Sequence, residues 1–380
     1  MNKVQKHYFI ADIAANHDGD LIKAKELVHA ASESGADAAK FQNFLAKTIV
    51  SDVGFKILGE QISHQSKWKK SVYETYHDAE LPFEWSNELL DACKKYNIDF
   101  FSASYDLGIT KKLKKFSEIF KIGSGEITWL EHLKLIENIY DYIIIATGAS
   151  TIKDVETAYN ILKKKNIVLM QCNTNYTANN FEDSKERYKR FASINLKVLD
   201  QYKKKFPKVI LGLSDHTLSD TTVLASIGLY NVKVVEKHFT LNNDDEGPDH
   251  PFSITPMNWR RMVNRVNEYH NLIDNHSNFQ SKFNELEKFV DDTKELELCL
   301  GDGIKKIEEN EKLTSIIQRR GLYTNKTLHS GQILTRSDID ILRPCIKEGF
   351  CASELELIIN KQIKKKLIKG DLLRKEDLIL

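Results

Sequence analysis

The sequence predicts an α/β fold in which a (β/α)8 TIM barrel is followed by a small, mainly β domain. Eight short runs rich in β-branched residues alternate with segments of helical periodicity through residues 8–273. Eight such units in about 270 residues are what a (β/α)8 barrel requires. Polar side chains gather where the predicted strands end, at the rim where such barrels carry their chemistry. A doubly wound sheet is the alternative, but no Gly-rich dinucleotide-binding turn follows the first predicted strand.

The alternation of strands and helices runs the length of the predicted barrel. The first helix has Asp20 as its predicted N-cap, apolar residues at helical spacing through residues 24–31, and Gly35 at its end. The predicted strands are residues 8–15, 38–42, 99–104, 119–123, 142–147, 167–172, 209–214 and 232–237. The later predicted helices are residues 84–96, 108–116, 130–139, 154–164, one long helix through 194–202, 221–229 and 256–273.

The chain also contains a long excursion and a change of character near its C-terminal end. Residues 43–83 are rich in Lys, Gln, His and aromatic residues without a clean strand, which is typical of a substrate-covering loop or an interface. The predicted domains are a catalytic barrel at 1–275, a linker at 276–313 and a C-terminal module at 314–380. Residues 328–339 are echoed thirty-nine positions later, which predicts a pseudo-symmetric module in which each copy is strand, Gly turn, strand and capped turn.

The composition excludes several classes of function. Lys+Arg 55 against Asp+Glu 54 gives a formal net charge of +1, so nothing indicates a nucleic acid partner. The five cysteines are an odd number without a paired CxxC, which is typical of a reduced, cytoplasmic protein and not of a disulfide or zinc framework. We find no signal peptide and no apolar run of membrane-spanning length, and we therefore expect no membrane association.

Two histidines are the central feature of the predicted rim. His216 and His238 each close an aliphatic run, and the segment between the two runs has helical character. Neighbouring parallel strands joined by one helix would place both imidazoles close enough to share one divalent ion. The alternative is that each is a satisfied rim residue, but carboxylates at Asp215, Glu236 and Asp249 favour the metal.

Three lysines, Lys40, Lys121 and Lys237, also fall at predicted strand ends. Ordinary salt bridges would explain any one of them, whereas three at one mouth favour a small, highly charged anion such as a phosphorylated carboxylate. The turn at residues 123–125 would add backbone N–H groups, and Ser214 a further donor.

Two carboxylates are candidates for proton transfer. Glu126 follows that glycine turn and is a candidate general acid or base, or else a cap for the next helix. Asp12 has the same two readings, since it either shares this chemistry or pairs with a lysine in the mouth. Asp249 lies after the last strand, where it is placed to accept hydrogen bonds from sugar hydroxyls. Cys172 is interpreted as a small apolar filler and not as a nucleophile.

Together these residues resemble the sialic acid (nonulosonic acid) synthase family. The likeness covers nearly the whole chain, including the C-terminal module, which is similar to the family's antifreeze-like (SAF) domain. The matching stretches are IAANHDGD at 13–20, GADAAKFQ at 35–42, FKIGSGEIT at 120–128, ATG at 146–148, GLSDHT at 212–217, EKHFT at 236–240, GPD at 247–249 and RRG at 319–321.

The resemblance implies a reaction and a set of site residues. The family condenses phosphoenolpyruvate with the open-chain aldehyde of an N-acylated hexosamine and releases phosphate. His216 and His238 would bind a divalent metal, typically Mn2+ or Mg2+. The other implied roles are acid/base chemistry for Glu126 and Asp12, phosphoenolpyruvate binding for Lys40, Lys121, Ser124, Thr174 (at the phosphate) and Ser214, and sugar binding for Gln42, Tyr176, Asp249 and Arg319. Arg319 looks like the arginine that reaches into the partner subunit's barrel to meet the N-acyl group, which implies a domain-exchanged homodimer.

Two departures from the family pattern bear on the acceptor sugar. Asp12 stands where the family commonly has Glu, and residues 102–106 replace a common Ser-Thr-Pro-Phe, so that Ala103 lacks a hydroxyl donor. The acceptor therefore stays open among N-acetylmannosamine, its 6-phosphate and the 2,4-diacetamido sugars that lead to legionaminic- or pseudaminic-type acids.

Two other functions remain as alternatives. A Schiff-base aldolase would use Lys121 or Lys237 as nucleophile and has no need of the histidine pair. A non-catalytic sugar-binding protein would need neither the histidines nor the lysines.

Overall fold

The computed structural model describes residues 7–59, 61–174, 184–273 and 278–379. Its first part is a closed barrel of eight parallel strands, hydrogen-bonded in chain order, with the last strand beside the first. The predicted (β/α)8 barrel followed by a small β domain is therefore confirmed. The barrel strands are β1 (Tyr8–Asp12), β2 (Ala38–Asn43), β3 (Asp99–Ser104), β4 (Ile119–Ile122), β5 (Tyr142–Ala146), β6 (Asn166–Cys172), β7 (Ile210–Asp215) and β8 (Val234–His238).

Helices surround the barrel and continue through the linker. They are α1 (Leu21–Glu33), α2 (Ala46–Ile49), α3 (Asp52–Leu58), α4 (Val72–Asp78), α5 (Ser86–Lys95), α6 (Leu107–Leu113), α7 (Leu130–Ile139), α8 (Ile152–Leu162), α9 (Ser184–Ala192), α10 (Val198–Lys205), α11 (Thr221–Tyr230), α12 (Pro256–Ile273), α13 (Phe279–Phe289), α14 (Thr293–Leu300) and α15 (Lys312–Gln318). Helices α2, α3 and α4 belong to the 43–83 excursion. None of the helices within the described ranges is long and apolar enough to cross a membrane.

The ends of α1 follow from local sequence, as predicted. The carboxylate of Asp20 accepts hydrogen bonds from the N–H groups of Ile22 and Lys23 at 2.7 and 3.4 Å, which caps the helix. Gly35 follows the helix with φ +92°, a conformation that L side chains rarely adopt. The chain can therefore turn directly into β2.

The long helix predicted through residues 194–202 is wrong, because the segment is divided into α9 and α10. Asn195 lies between them with φ +56°. The next two N–H groups leave the helical pattern and donate to Cys299 O and Leu300 O at 2.8 and 2.9 Å. The end of the linker helix α14 thus breaks a pattern that looks continuous in the sequence.

Side chains inside the barrel are apolar in the lower layers and charged near the C-terminal ends of the strands. The apolar layers are built from Ile10, Ala38, Phe101, Ile144, Val168, Met170 and Val234. Above them, Asp12 on β1 lies in register with Lys40 on β2 and with His238 on β8. Polar side chains from neighbouring strands therefore meet at one opening.

The C-terminal module is built from β9 (Gly321–Thr324), β10 (Ile339–Leu342), α16 (Leu355–Ile358), β11 (Gln362–Ile363) and β12 (Leu378–Ile379). The glycines of the two predicted repeats, Gly331 and Gly370, have φ of +86° and +91°. The repeats pair with each other through the bridge between Leu328 and Leu367, so the runs around each glycine are isolated bridges and not the continuous strands that the sequence predicted. Each half bonds to the other copy and not across its own turn.

This module covers the C-terminal opening of the barrel. The N–H of Arg343 donates to Ile49 O, and the N–H of Ser51 donates to Arg343 O, both at 2.8 Å. Trp129 from the barrel packs into the module's apolar core. Excursion and module therefore close the barrel together.

Candidate active site

The C-terminal opening of the barrel encloses a cavity of about 900 Å³. Three parts of the chain line it: the strand ends and following loops of the barrel, the 43–83 excursion, and the C-terminal module with its linker helix. The lining residues are Asp12, Ala15, Lys40, Gln42, Phe44, Ile49, His64, Trp68, Thr75, Tyr76, Ala79, Tyr105, Lys121, Gly123, Ser124, Gly125, Ala146, Ser214, His216, Glu236, His238, Pro248, Asp249, Gln318 and Arg343.

The two histidines face this cavity side by side. The ring centroids of His216 and His238 are 5.4 Å apart. His216 Nδ1 donates to Asn173 O at 3.1 Å, which leaves the lone pair of the neutral ring on Nε2. His238 Nε2 lies 3.4 Å from Asp12 Oδ2. Burial lowers the pKa of His216 to about 3 and that of His238 to about 4, so both are neutral imidazoles at neutral pH. This donor set fits a divalent ion held by two nitrogens, with its remaining positions open to substrate.

Two lysines and two carboxylates form a buried chain beside the histidines. Lys40 Nζ lies 2.7 Å from Asp12 Oδ2 and 3.0 Å from Glu236 Oε2, and Lys121 Nζ lies 3.0 Å from Glu236 Oε1. Although burial alone raises the pKa of Glu236, the two ammonium groups hold it well below its usual range. Burial lowers the pKa of Lys121. The cavity therefore presents two fixed ammonium groups at its barrel side.

The expectation that Lys237 joins this group is wrong. Strand side chains alternate in direction, so Lys237 points to the outside of β8 while Glu236 and His238 point inward. Its Nζ bonds Asp215 Oδ2 at 2.5 Å and Thr217 O at 2.6 Å. Lys237 and Asp215 form a buried pair that supports the β7 loop from behind.

The hydroxyls of Ser124 and Ser214 reach the cavity as the sequence predicted. Ser124 Oγ accepts a hydrogen bond from Gly148 N–H at 3.0 Å, and Ser214 Oγ donates to Glu236 Oε1 at 3.1 Å. At Gly125 an added Cβ would lie 2.5 Å from Gln318 O, so only glycine allows the linker helix to come this close.

Thr174 lies beside the cavity but is bonded to the linker. Its N–H and Oγ1 both donate to Glu311 Oε1, at 2.8 and 3.2 Å, and Ala149 N–H donates to the same oxygen at 2.7 Å. Its predicted contact with a substrate phosphate would require exchange of this carboxylate. Glu311 was missed by the sequence analysis, since nothing in a Glu-rich linker distinguishes one buried carboxylate.

Two of the predicted sugar-contacting residues line the cavity. Gln42 Nε2 donates to Asp12 Oδ2 at 3.0 Å. Asp249 Oδ2 accepts from Ala15 N–H at 3.1 Å, and burial raises the pKa of Asp249. Tyr176 lies outside the described residues.

Glu126 is not a lining residue and is held by two arginines of the C-terminal module. Its Oε2 accepts from Arg320 Nε and its Oε1 from an Nη of Arg343, both at 2.6 Å. Although burial alone raises the pKa of Glu126, the guanidinium groups hold it below its usual range. Its expected acid/base role, which stays a prediction, would require this clamp to open.

The two neighbouring arginines Arg319 and Arg320 point in different directions. Arg319 donates to Ala149 O and Asp154 Oδ2, at 2.8 and 3.0 Å, and is not a lining residue. Its contact with an N-acyl group stays a prediction for a domain-exchanged dimer. The module's arginine that does line the cavity is Arg343, which the sequence analysis missed. The available signal was its position directly after a strand, where the barrel also carries its polar residues.

The excursion forms an aromatic wall opposite the lysines. Phe44 packs edge-to-face on Tyr76 and on Tyr105, with centroids 5.4 and 6.1 Å apart, and Trp68 packs on Tyr76 at 6.1 Å. Ala103 is buried in the same apolar cluster. The excursion is thus part of the site, which its mixed composition alone had left open.

Comparisons with known proteins agree with this architecture. The model of the NeuB family matches residues 27–278, and that of the SAF domain matches residues 319–379. The chain is 32% identical to the N,N'-diacetyllegionaminic acid synthase of Campylobacter jejuni over 98% of this chain and 100% of the relative. It is 28% identical to the pseudaminic acid synthase of the same species, over 99% and 98% of the two chains. The crystal structure of the spore coat polysaccharide biosynthesis protein SpsE from Bacillus subtilis is 25% identical, with a TM-score of 0.75 over 100% of this chain and 96% of that chain.

Proposed function

Because this chain belongs to the NeuB family and is an enzyme of the synthase type, we propose that it condenses phosphoenolpyruvate with an open-chain N-acylated hexosamine and releases phosphate. One observation carries the proposal: two neutral imidazoles and two ammonium groups face the same closed cavity. A sugar-binding protein would gain nothing from burying Lys40 and Lys121, whereas an anionic substrate that must react with an electrophile needs such groups.

The resident metal in this proposal is a divalent ion, Mn2+ or Mg2+, held by His216 and His238. When bound, it would act as a Lewis acid toward the acceptor aldehyde. The neutral state of both imidazoles supports this assignment, since a protonated ring offers no lone pair to a cation.

Lys40 and Lys121 would hold the carboxylate and phosphate of phosphoenolpyruvate. Their charges offset those of the substrate, which would otherwise oppose the approach of C3 to the aldehyde carbon. The hydroxyls of Ser124 and Ser214 lie on the same wall and would complete the anion site. Glu236 bonds both lysines and so keeps their ammonium groups in place while the substrate enters.

The proposed reaction forms one carbon–carbon bond and breaks one carbon–oxygen bond. C3 of phosphoenolpyruvate attacks the aldehyde carbon, whose oxygen takes a proton, and water adds to C2 before phosphate departs. The carboxylates of Asp12 and Asp249 line the cavity and are placed to take the proton of that water. Glu126 reaches this step only if its two arginines release it.

The aromatic wall favours an acceptor without a phosphate group. Within the described part of the lining, the side chains opposite the lysines are mainly those of Phe44, Ile49, Trp68 and Tyr76, and Arg343 is already bonded to Glu126. A 6-phosphate would lose its hydration there without a compensating cation. N-acetylmannosamine fits the proposal, and a 2,4-diacetamido-trideoxyhexose, with its extra methyl groups, fits this wall better.

The test is phosphate release with phosphoenolpyruvate, Mn2+ and each of three acceptors: N-acetylmannosamine, its 6-phosphate and a 2,4-diacetamido sugar. We expect turnover with at least one unphosphorylated acceptor and at least about 10-fold lower kcat/KM with the 6-phosphate. Release with none of the three would overturn the proposed reaction. Preference for the 6-phosphate would overturn the interpretation of the aromatic wall.

A separate experiment addresses the Schiff-base aldolase. Lys121 is bonded to Glu236 and would have to lose its proton before attacking a carbonyl. We therefore expect no covalent adduct after incubation with pyruvate and borohydride, as measured by intact-protein mass. An adduct that maps to Lys121 and disappears in Lys121→Arg would favour the aldolase.

The predicted domain-exchanged homodimer remains part of the proposal. Within one chain the C-terminal module already covers its own barrel. An exchanged dimer would make the same contacts between two chains, because each module would replace its partner's at an identical opening.

A further inference from the structure

Tyr105 occupies the junction of the three parts of the chain that enclose the cavity. It directly follows β3, is buried, and lines the cavity. Its ring packs against Phe44 of the excursion, and its N–H donates to Asn43 O at 3.1 Å. An added Cβ at Gly123 would lie 3.1 Å from its hydroxyl oxygen, so the glycine turn leaves room for this ring.

The hydroxyl of Tyr105 orients the amide of Gln42. It donates to Gln42 Oε1 at 3.1 Å, while Gln42 Nε2 donates to Asp12 Oδ2 at 3.0 Å. An amide with its oxygen bound to a donor and its nitrogen bound to a carboxylate has one favourable orientation. Without the hydroxyl, the carbonyl oxygen of Gln42 loses this donor, and the amide can rotate about its last torsion.

Tyr105 also contacts the C-terminal module at two points. Its carbonyl oxygen accepts from an Nη of Arg320 at 2.8 Å, and its ring lies under the guanidinium of Arg343 at 5.2 Å. The two arginines are those that hold Glu126. Seating of the module therefore fixes the backbone and the ring of Tyr105, and through its hydroxyl the amide of Gln42.

We propose that Tyr105 is a positioning residue that sets the Gln42 amide for the acceptor sugar and couples this orientation to the seating of the C-terminal module. The inference rests on the proposed function, since it assigns the amide to the acceptor and not to phosphoenolpyruvate. Tyr105 acts through Gln42 and takes no part in bond making. Its removal should therefore affect the acceptor alone.

The experiment is a double-mutant cycle of Tyr105→Phe and Gln42→Ala. In the otherwise unchanged protein we expect Tyr105→Phe to raise the acceptor KM by about 10-fold, the loss of one buried hydrogen bond, with less than a two-fold change in the KM for phosphoenolpyruvate. In the Gln42→Ala background the same change should alter the acceptor KM by less than two-fold. Equal effects in the two backgrounds, or equal effects on both substrates, would overturn the inference.

Tyr140→Phe is the matched control, because it removes another buried hydroxyl, one that donates to Thr110 O at 2.8 Å away from the cavity. It should leave both KM values unchanged. Acceptor binding is also measured directly, by calorimetry on the Mn2+-loaded protein without phosphoenolpyruvate. If the unchanged protein binds acceptor but releases no phosphate, the proposed reaction fails, and the same cycle in Kd decides the role of Tyr105. If it binds none of the three acceptors, both proposals fail.

Discussion

Replacing either His216 or His238 by Ala should abolish metal-dependent phosphate release while leaving the barrel folded. The two rings face one cavity from adjacent strands, so neither can hold the ion with the same geometry alone. Loss of several kcal/mol of electrostatic stabilisation corresponds to a decrease in kcat/KM on the order of a thousand-fold. Mn2+ binding, measured by electron paramagnetic resonance, should weaken in parallel.

His132→Ala provides the control for loss of a buried imidazole. This ring lies on the outer helix α7, where it contacts Trp129 and bonds Thr110 Oγ1 at 2.8 Å. We expect that variant to lose stability yet retain Mn2+ binding and metal-dependent turnover. Unaltered turnover or Mn2+ affinity in the His216 or His238 variant would remove the metal assignment.

Glu126→Gln should destabilise the protein by about 3 kcal/mol, because it leaves two buried guanidinium groups without their anion. Arg320 is 1% exposed and Arg343 is 5% exposed, so water cannot replace the carboxylate. The free energy of unfolding in urea measures the effect. Since Arg343 also lines the cavity, the acceptor KM should rise as well.

Glu131→Gln is the matched control for Glu126→Gln. Glu131 also joins the barrel to the module, through two 2.9 Å hydrogen bonds from Arg336, but both side chains are about one-third exposed. An exposed pair of this kind contributes less than about 1 kcal/mol. If Glu126→Gln instead keeps full stability and loses turnover, Glu126 is the acid/base residue that the family resemblance implies.

The barrel could be predicted from the sequence because its signals are local. The strand at residues 99–104 and the helices at 130–139 and 256–273 have the predicted bounds. Each has its own periodicity and its own end signals. The prediction failed at residues 194–202, where a residue with positive φ and two backbone hydrogen bonds to the distant α14 divide the pattern.

The site was predicted in part, and the division has the same cause. Lys40, Lys121, His216 and His238 were placed at one rim because the ends of parallel strands meet there. Lys237 was grouped with them because position along a strand had been considered without its two-residue alternation. Arg343 and Glu311 lie 217 and 137 residues from their partners Glu126 and Thr174, so no local pattern joins them.

The order of residues along the chain was thus sufficient for the barrel, the two-copy module and the histidine pair, all of which follow from spacing and strand polarity. Folding in three dimensions settled which carboxylate is clamped by arginines, which lysine faces away, and how the excursion and the module close the cavity. Those features depend on side chains that meet across long separations. Packing alone selects among the partners that composition allows.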